Sequence, residues 1–359
     1  MKLYLFNPEH DIALAANRER FTPPHAGRQL RHDLGFLPAV WAQPDAFVLV
    51  EDQTAAVRAW DSLQDRWGIS APVCFVTPPA LRMLSADDDP WEISPWGWDS
   101  ALRRQLCDAG IPPRLLPTDY QLAEIREVSN RRWAAEKLLP EMVSMAPVMI
   151  GEAHYCTSLT AVREELERRG KCLCKAPWSS TGRGLRLVDA DSWSSQTEGW
   201  VSHVIRRQGG VMLEPYYDRL QDFAMEFRAT ADGIVFEGLS VFSTVHGAYT
   251  GNLLACEAEK VSLLSALLPP PMLDRIRDRM VGLLNRHLPQ SYRGPLGVDM
   301  MILADGEDRG SVRIHPCVEL NLRMTMGHVA LALGRLMPQV RGHVQITFDG
   351  SYSLDLTGQ

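Results

Sequence analysis

Short apolar runs bounded by turn residues recur near the start of the chain, at residues 3–6, 46–50 and 73–76. Between them, residues 11–16 and 54–67 are helical candidates. Strands alternating with helices predict a parallel sheet covered on both faces. This N-terminal α/β domain is expected to end near residue 124. Further along, the pattern predicts a helix over 129–139, a strand over 147–150 and a helix over 161–169. Two strands, 171–175 and 185–188, enclose a loop with glycines, and an apolar strand at 210–216 follows. After a helix at 271–287, two last apolar runs, 297–302 and around residue 318, flank a stretch of turn residues and are expected to pair as a hairpin. Three domains are therefore expected, at 1–124, 125–212 (a helix plus a lid) and 213–359. No internal repeat or low-complexity segment is evident.

Alternation along these strands places the chemistry. Residues two apart share a face, so Glu319 and Asn321 project together, and the hairpin brings Asp299 beside them. Two carboxylates and an amide oxygen suit magnesium, a hard cation that takes carboxylates together with nucleotide phosphates. The plain alternative is the polar outer face of an ordinary hairpin. In the strand at 171–175, Cys172 and Cys174 fall on one face and Leu173 and Lys175 on the other. Lys175 can then point into a cleft while the thiols pack as small hydrophobes. The loop after it, with Ser179, Ser180, Thr181, Gly182 and Gly184, offers hydroxyls and backbone N–H groups that could close over phosphates. A simple hairpin turn would also account for it. The order GxxxxGK is absent, and no GxGxxG opens a helix after the first strand.

The segment Asn7-Pro8-Glu9-His10-Asp11 directly follows the first strand, at the end where parallel sheets bind ligands. Asn7 could cap a helix with Pro8 at its first position, which alone would explain the segment. The functional alternative has Glu9 and His10 facing a cleft and touching a second substrate. Trp91, Trp96 and Trp98 mark an aromatic loop expected to pack on a neighbouring domain, with stacking on a substrate as the alternative.

With 359 residues the chain has ample length for a buried core. Hydrophobic residues at 45% and charged residues at 23% are those of an ordinary soluble globular protein, expected in the cytoplasm. A net charge of −7 argues against a nucleic-acid surface, and the N-terminus is too short in apolar residues for a signal peptide or membrane span. Seven cysteines without CxxC pairs read as buried thiols of a reducing compartment. No Ser–His–Asp or zinc-ligand spacing occurs.

Taken in order over residues 125–335, these pieces resemble the ATP-grasp superfamily of ATP-dependent ligases. The matching parts are the lysine-ended strand, the small loop, the hinge strand ending at Glu214, the aspartate strand and Glu319-Leu-Asn321-Leu-Arg323. The resemblance implies an N-terminal Rossmann-like domain, a small lid and a C-terminal α+β domain. It gives Lys175 and the loop from Ser179 the α- and β-phosphates, and Glu214, Pro215 and Tyr216 the adenine. Asp299, Glu319 and Asn321 would hold magnesium. Where many members have a lysine before the lid, this chain offers Arg131, with Lys137 one or two turns on; arginine keeps the charge and adds a planar fork. Arg323, two residues past Asn321, is expected to share its face and, with Lys175, to serve catalysis. Arg228, His246, Arg293, His315 and His328 read better as structural. The implied cofactors are ATP and Mg2+. The implied substrates are a small-molecule carboxylate, activated as an acylphosphate, and an amine; amino acids or peptides fit, and a homo-oligomer is left open. A kinase of similar fold, or an ATP-binding protein without catalysis, are the alternative readings.

Overall fold

Strand β1 (Lys2–Leu5) is buried on both faces, and its alternation divides the first core in two. Leu3 and Leu5 pack with Leu81, Trp91, Leu102 and Leu106. Tyr4, with Phe6 just beyond the strand, packs with Val48, Trp60 and Phe75. That is the expected state of a parallel strand covered by helices on each side. The structure, a computed structural model, describes residues 1–84, 91–179, 184–245, 248–305 and 311–358. Two compact units emerge from the packing: one division, at 126/127, falls close to the expected boundary near 124, and none falls near 212. The first comprises 1–126, 251–256 and 323–359; the second comprises 127–250 and 257–322.

In the first unit, β1 pairs in parallel with β2 (Phe47–Leu49), which pairs with β3 (Cys74–Val76). On its other side lies β4 (Glu92–Pro95), giving the order β3-β2-β1-β4. The tryptophan-rich segment is therefore a fourth strand rather than a loop. Its rings serve this unit's own cores: Trp91 joins the Leu3 side, while Trp96 stands edge-on to Phe6 with centroids 5.0 Å apart. Pro95, which cannot donate to a ladder, sits at the end of this edge strand. The helix Gln53–Trp67 starts where the Asp52 side chain accepts from the N–H of Ala55 and stops at Gly68, whose φ is 63°.

The second unit begins with the helix Arg131–Lys137, capped by Asn130. Residues 147–150 do not form the expected lid strand. Met149 makes only an isolated bridge to Ile314, and Gly151 turns the chain at φ +152°. The lid sheet instead consists of β5 (His154–Cys156), β6 (Cys172–Lys175), β7 (Leu185–Val188) and β8 (Val211–Pro215), in the order β5-β8-β6-β7. Cys156, Cys172, Cys174, Val211 and Leu213 cover one face with Val162 and Leu166 of the helix Leu159–Arg169. The unit's other sheet is antiparallel. It is built from β9 (Arg219–Thr230) and β10 (Gly233–Val245), then, beyond β11 (Ala248–Leu254), from β12 (Gly294–Ala304) and β13 (Val312–Asn321). Within this unit the order is β13-β12-β9-β10.

From Gly251 onward β11 belongs to the first unit, where Asn252 pairs with Val344 of β14 (Gly342–Phe348). β14 forms a hairpin with β15 (Tyr352–Thr357). The helix Met326–Leu336, capped by Thr325, buries Val329 and Leu333 in the same core as Tyr4. The seven cysteines form no disulfide; Cys156, Cys172, Cys174 and Cys317 are buried as expected, whereas Cys74 and Cys256 are exposed. No helix among the described residues is long and apolar enough to cross a membrane.

Candidate nucleotide and metal site

The hairpin β12/β13 forms as its apolar pattern predicts. Asp299 lies directly opposite Glu319, and Gly297 opposite Asn321. Asn321 turns its amide nitrogen to Asp299 Oδ2 at 3.1 Å, so all three side chains share one face. Among the described residues no three His, Cys, Asp or Glu side chains group as a metal site. The donor set is two carboxylates and an amide. That fits a hard cation which takes its remaining ligands from phosphate and water.

On the lid side, alternation in β6 sends Cys172 and Cys174 into the lid core and Lys175 the other way. Leu173 pairs across with Glu214 of β8, so Lys175, two residues on, meets Glu214 diagonally. Their Nζ and Oε2 atoms lie 2.5 Å apart, and both side chains are buried. Pro215 is half-buried and Tyr216 exposed. The N–H of Tyr216 donates to Lys171 O at 3.0 Å, and the Lys171 ammonium sits over the tyrosine ring.

Arg131 joins the two sides. Its guanidinium donates to both oxygens of Glu319, at 2.7 and 2.9 Å. It also donates to Ala176 O, Ser179 Oγ and Ser179 O, at 2.5, 2.7 and 3.1 Å. Lys137, by contrast, occupies the last turn of the same helix. Ser180, Thr181 and Gly182, also expected at the phosphates, lie outside the described residues, as does His246.

Two further groups share this site although the sequence did not single them out for it. Cys317 is buried among Asp299, Glu214, Glu319 and Lys175, and burial pushes its thiol up to about 12. His315 is opposite Met301 and so on the Asp299 face, with the Tyr217 ring edge-on at 5.6 Å. Burial, with the Lys175 charge nearby, holds its imidazole down to about 3. Pro316 hid this relationship. Between the His315 and Glu319 pairings, three residues of β13 face only Met300 of β12, and simple alternation breaks there.

The remaining candidates lie in the first unit or make local contacts. β13 ends at Asn321, so the face shared by Glu319 and Asn321 does not extend to Arg323, which pairs with Asp11 at 2.9 Å. Asn7 does not cap the following helix. That helix starts at His10 without a side-chain cap; the Asn7 side-chain oxygen accepts from Gly97 N–H at 3.3 Å, while its nitrogen donates to Gly97 O at 2.8 Å and Asp99 at 3.3 Å. His10 is only 1% exposed, with Nδ1 3.3 Å from Asp99. Asp99 in turn caps the helix Ser100–Asp108 through Leu102 N–H. Glu9 is buried and receives Arg31 at 2.6 Å; burial raises its pKa, against the pull of Arg31. A narrow hollow beside it is lined by Asn7, Arg31, Asp99 and Gln105. Arg228 pairs with Glu237, Arg293 donates to Gln290 O and Tyr292 O, and His328 completes the Thr325 capping box.

No family model matches the sequence, and no curated protein matches it. Among solved structures, the fold is similar to a biotin carboxylase from Campylobacter jejuni in complex with β,γ-ATP. The TM-score is 0.54 at 12% identity, covering 92% of this chain and 67% of that one. It is also similar to the biotin carboxylase domain of the 2-oxoglutarate carboxylase from Hydrogenobacter thermophilus, in complex with MgADP, ADP and bicarbonate. There the TM-score is 0.50 at 13% identity, covering 84% and 71%. An ATP-grasp superfamily protein from Archaeoglobus fulgidus matches over 99% of this chain and 98% of that one, with a TM-score of 0.49 at 13% identity. The fold of this chain is the ATP-grasp fold.

Proposed function

We propose that the second unit binds ATP with magnesium, and that the protein is an ADP-forming ligase joining a small-molecule carboxylate to an amine. The observation that carries this reading is the reach of Arg131. One guanidinium touches the Ala176–Ser179 segment that follows Lys175 and also Glu319 of the acidic hairpin. That contact supports reading the cationic and acidic halves of the expected site as one site. That two structures of like fold hold adenine nucleotides, as their names state, supports the same reading.

On this reading Lys175 and Arg131 neutralise phosphate oxygens, and Arg131 adds a fork that can grip two of them. Asp299, Glu319 and Asn321 would hold magnesium, which supplies charge neutralisation at the transferring phosphoryl group when bound. The substrate carboxylate oxygen bonds to the γ-phosphorus as the bond from that phosphorus to the bridging oxygen breaks, releasing ADP. The amine then attacks the acylphosphate carbon, loses a proton and expels phosphate. The chain contributes chiefly position and fixed charge. Glu9 and His10 do not enter this reading, since each is buried and held within the first unit by Arg31 or Asp99.

The test is a screen of amino acids and short peptides for stimulated ADP release, with mass analysis of the product. A product equal to acid plus amine less water supports the ligase. A phosphorylated hydroxyl makes the protein a kinase. Calorimetry that detects no ATP or ADP binding to the intact protein would sink the proposal.

A further inference from the structure

Glu319 offers both carboxylate oxygens to Arg131, and this bears on how a cation reaches the site. One terminal nitrogen, Nη2, reaches both oxygens, at 2.7 and 2.9 Å, and the arginine is only 8% exposed. A metal ion chelated by Glu319 would compete with this guanidinium for the lone pairs that the carboxylate turns toward it. Their like charges would also repel at contact distance. Arg131 is held from the other side by Ala176 O and both oxygens of Ser179, so the pair is a built junction rather than a surface contact. One donor is left over: the buried Nε of Arg131 has no hydrogen-bond partner. A guanidinium with an unused buried donor gains from an anion that can take its N–H groups together, and a polyphosphate offers such oxygens.

We propose that Arg131 is a latch on the cation site: it keeps Glu319 closed to divalent cations until a nucleotide's phosphates take the guanidinium. This rests on the reading that Asp299, Glu319 and Asn321 form the metal site. It adds an order that the donor set alone does not imply. The nucleotide draws Arg131 away, Glu319 is released, and the metal enters beside Asp299. By linkage, whatever the nucleotide gains from the metal, the metal gains from the nucleotide. A lysine at this place would carry the same charge on one nitrogen and could not hold Glu319 through one group and Ala176 and Ser179 Oγ through another.

The experiment is a Mn2+ titration of the full chain followed by electron paramagnetic resonance, with and without ADP. It uses the wild type, Arg131→Met, Arg131→Lys and the double variant Arg131→Met/Glu319→Gln. Wild-type protein should bind Mn2+ alone weakly and bind it far better with ADP present. Arg131→Met should tighten binding of Mn2+ alone by roughly tenfold, within the usual span of coupling between sites. Arg131→Lys, the milder change should the methionine variant fold poorly, should show a smaller gain in the same direction. The double variant should lose the gain, because it runs through Glu319. Unchanged affinity for Mn2+ alone in both single variants, or a gain that survives Glu319→Gln, would overturn the latch. If the wild type binds no Mn2+ even with ADP, the metal-site reading itself fails, and the latch with it.

Discussion

Lys175 Nζ and Glu214 Oε2 lie 2.5 Å apart, with the residues 3% and 5% exposed. Two opposite charges so deeply buried owe their tolerance to each other. The desolvation cost of either one is offset only while the partner stays in place. On the proposed function Lys175 therefore carries two roles that mutagenesis can separate. Lys175→Ala should weaken nucleotide binding by about 1–3 kcal/mol, the range for a lost charge-assisted bond. It should also destabilise the fold, by roughly 3–5 kcal/mol, because Glu214 is left buried and unpaired. Adding Glu214→Gln should restore much of the melting temperature and none of the lysine's share of binding. Calorimetry and thermal denaturation on the same three proteins check both halves.

The acidic hairpin yields a second expectation. Asn321→Asp sets a carboxylate where an amide now donates to Asp299 at 3.1 Å, placing like charges side by side. Glu319→Gln removes one carboxylate charge from the proposed metal site and weakens the grip on Arg131. Both should depress turnover far more than they depress the melting temperature, and both should shift the magnesium concentration needed for half-maximal ADP release. Unchanged metal dependence in both variants would reduce these residues to sheet decoration.

The shared face of those two residues is legible in the sequence because they obey local rules. Glu319 and Asn321 sit two apart in an apolar run, and Lys175 alternates with Cys174; period-two geometry does the rest. What stayed hidden depends on partners distant in sequence. The Asn7 amide looks like a helix cap until Gly97, ninety residues away, is found to hold it. Residues 147–150 read as a strand, yet only Met149 bridges to Ile314, since hydrogen-bond partners rather than propensity decide a ladder. His315 was masked by the irregularity at Pro316. The role of Arg323 was extrapolated past the end of its strand, where alternation no longer applies.

His315 gives a pH signature. Burial and the Lys175 charge lower its pKa from 6.5 to about 3. Between those values the unfolded chain binds a proton that the folded protein does not, so stability falls as pH drops through this window and recovers above it. The scale is on the order of 1.4 kcal/mol per pH unit at most. His315→Gln keeps a polar side chain but removes the proton. Urea unfolding at pH 7, 6, 5 and 4, values roughly spanning the window, should show a shallower loss for the variant than for the wild type. Parallel slopes would mean that the imidazole protonates as readily in the fold as out of it.

In the first unit, His10 and Gly97 should prove energetically coupled. A Cβ built on Gly97 would lie 2.6 Å from the His10 ring, closer than real atoms approach, so the ring fills the space that the glycine leaves. His10 is also tied to Asp99, which caps the next helix and accepts from Asn7. His10→Ala should cost roughly 1–3 kcal/mol by opening that space and removing a partner of Asp99. Gly97→Ala should cost about as much through overpacking. In the double variant the new methyl group moves into the volume the imidazole vacated. The combined loss should therefore fall short of the sum by about 1 kcal/mol or more, within the range for touching residues. Strictly additive losses in chemical denaturation would show that the two do not share this space. A rise in Michaelis constant for a carboxylate or amine substrate, with stability unchanged in His10→Ala, would instead return His10 to the chemistry.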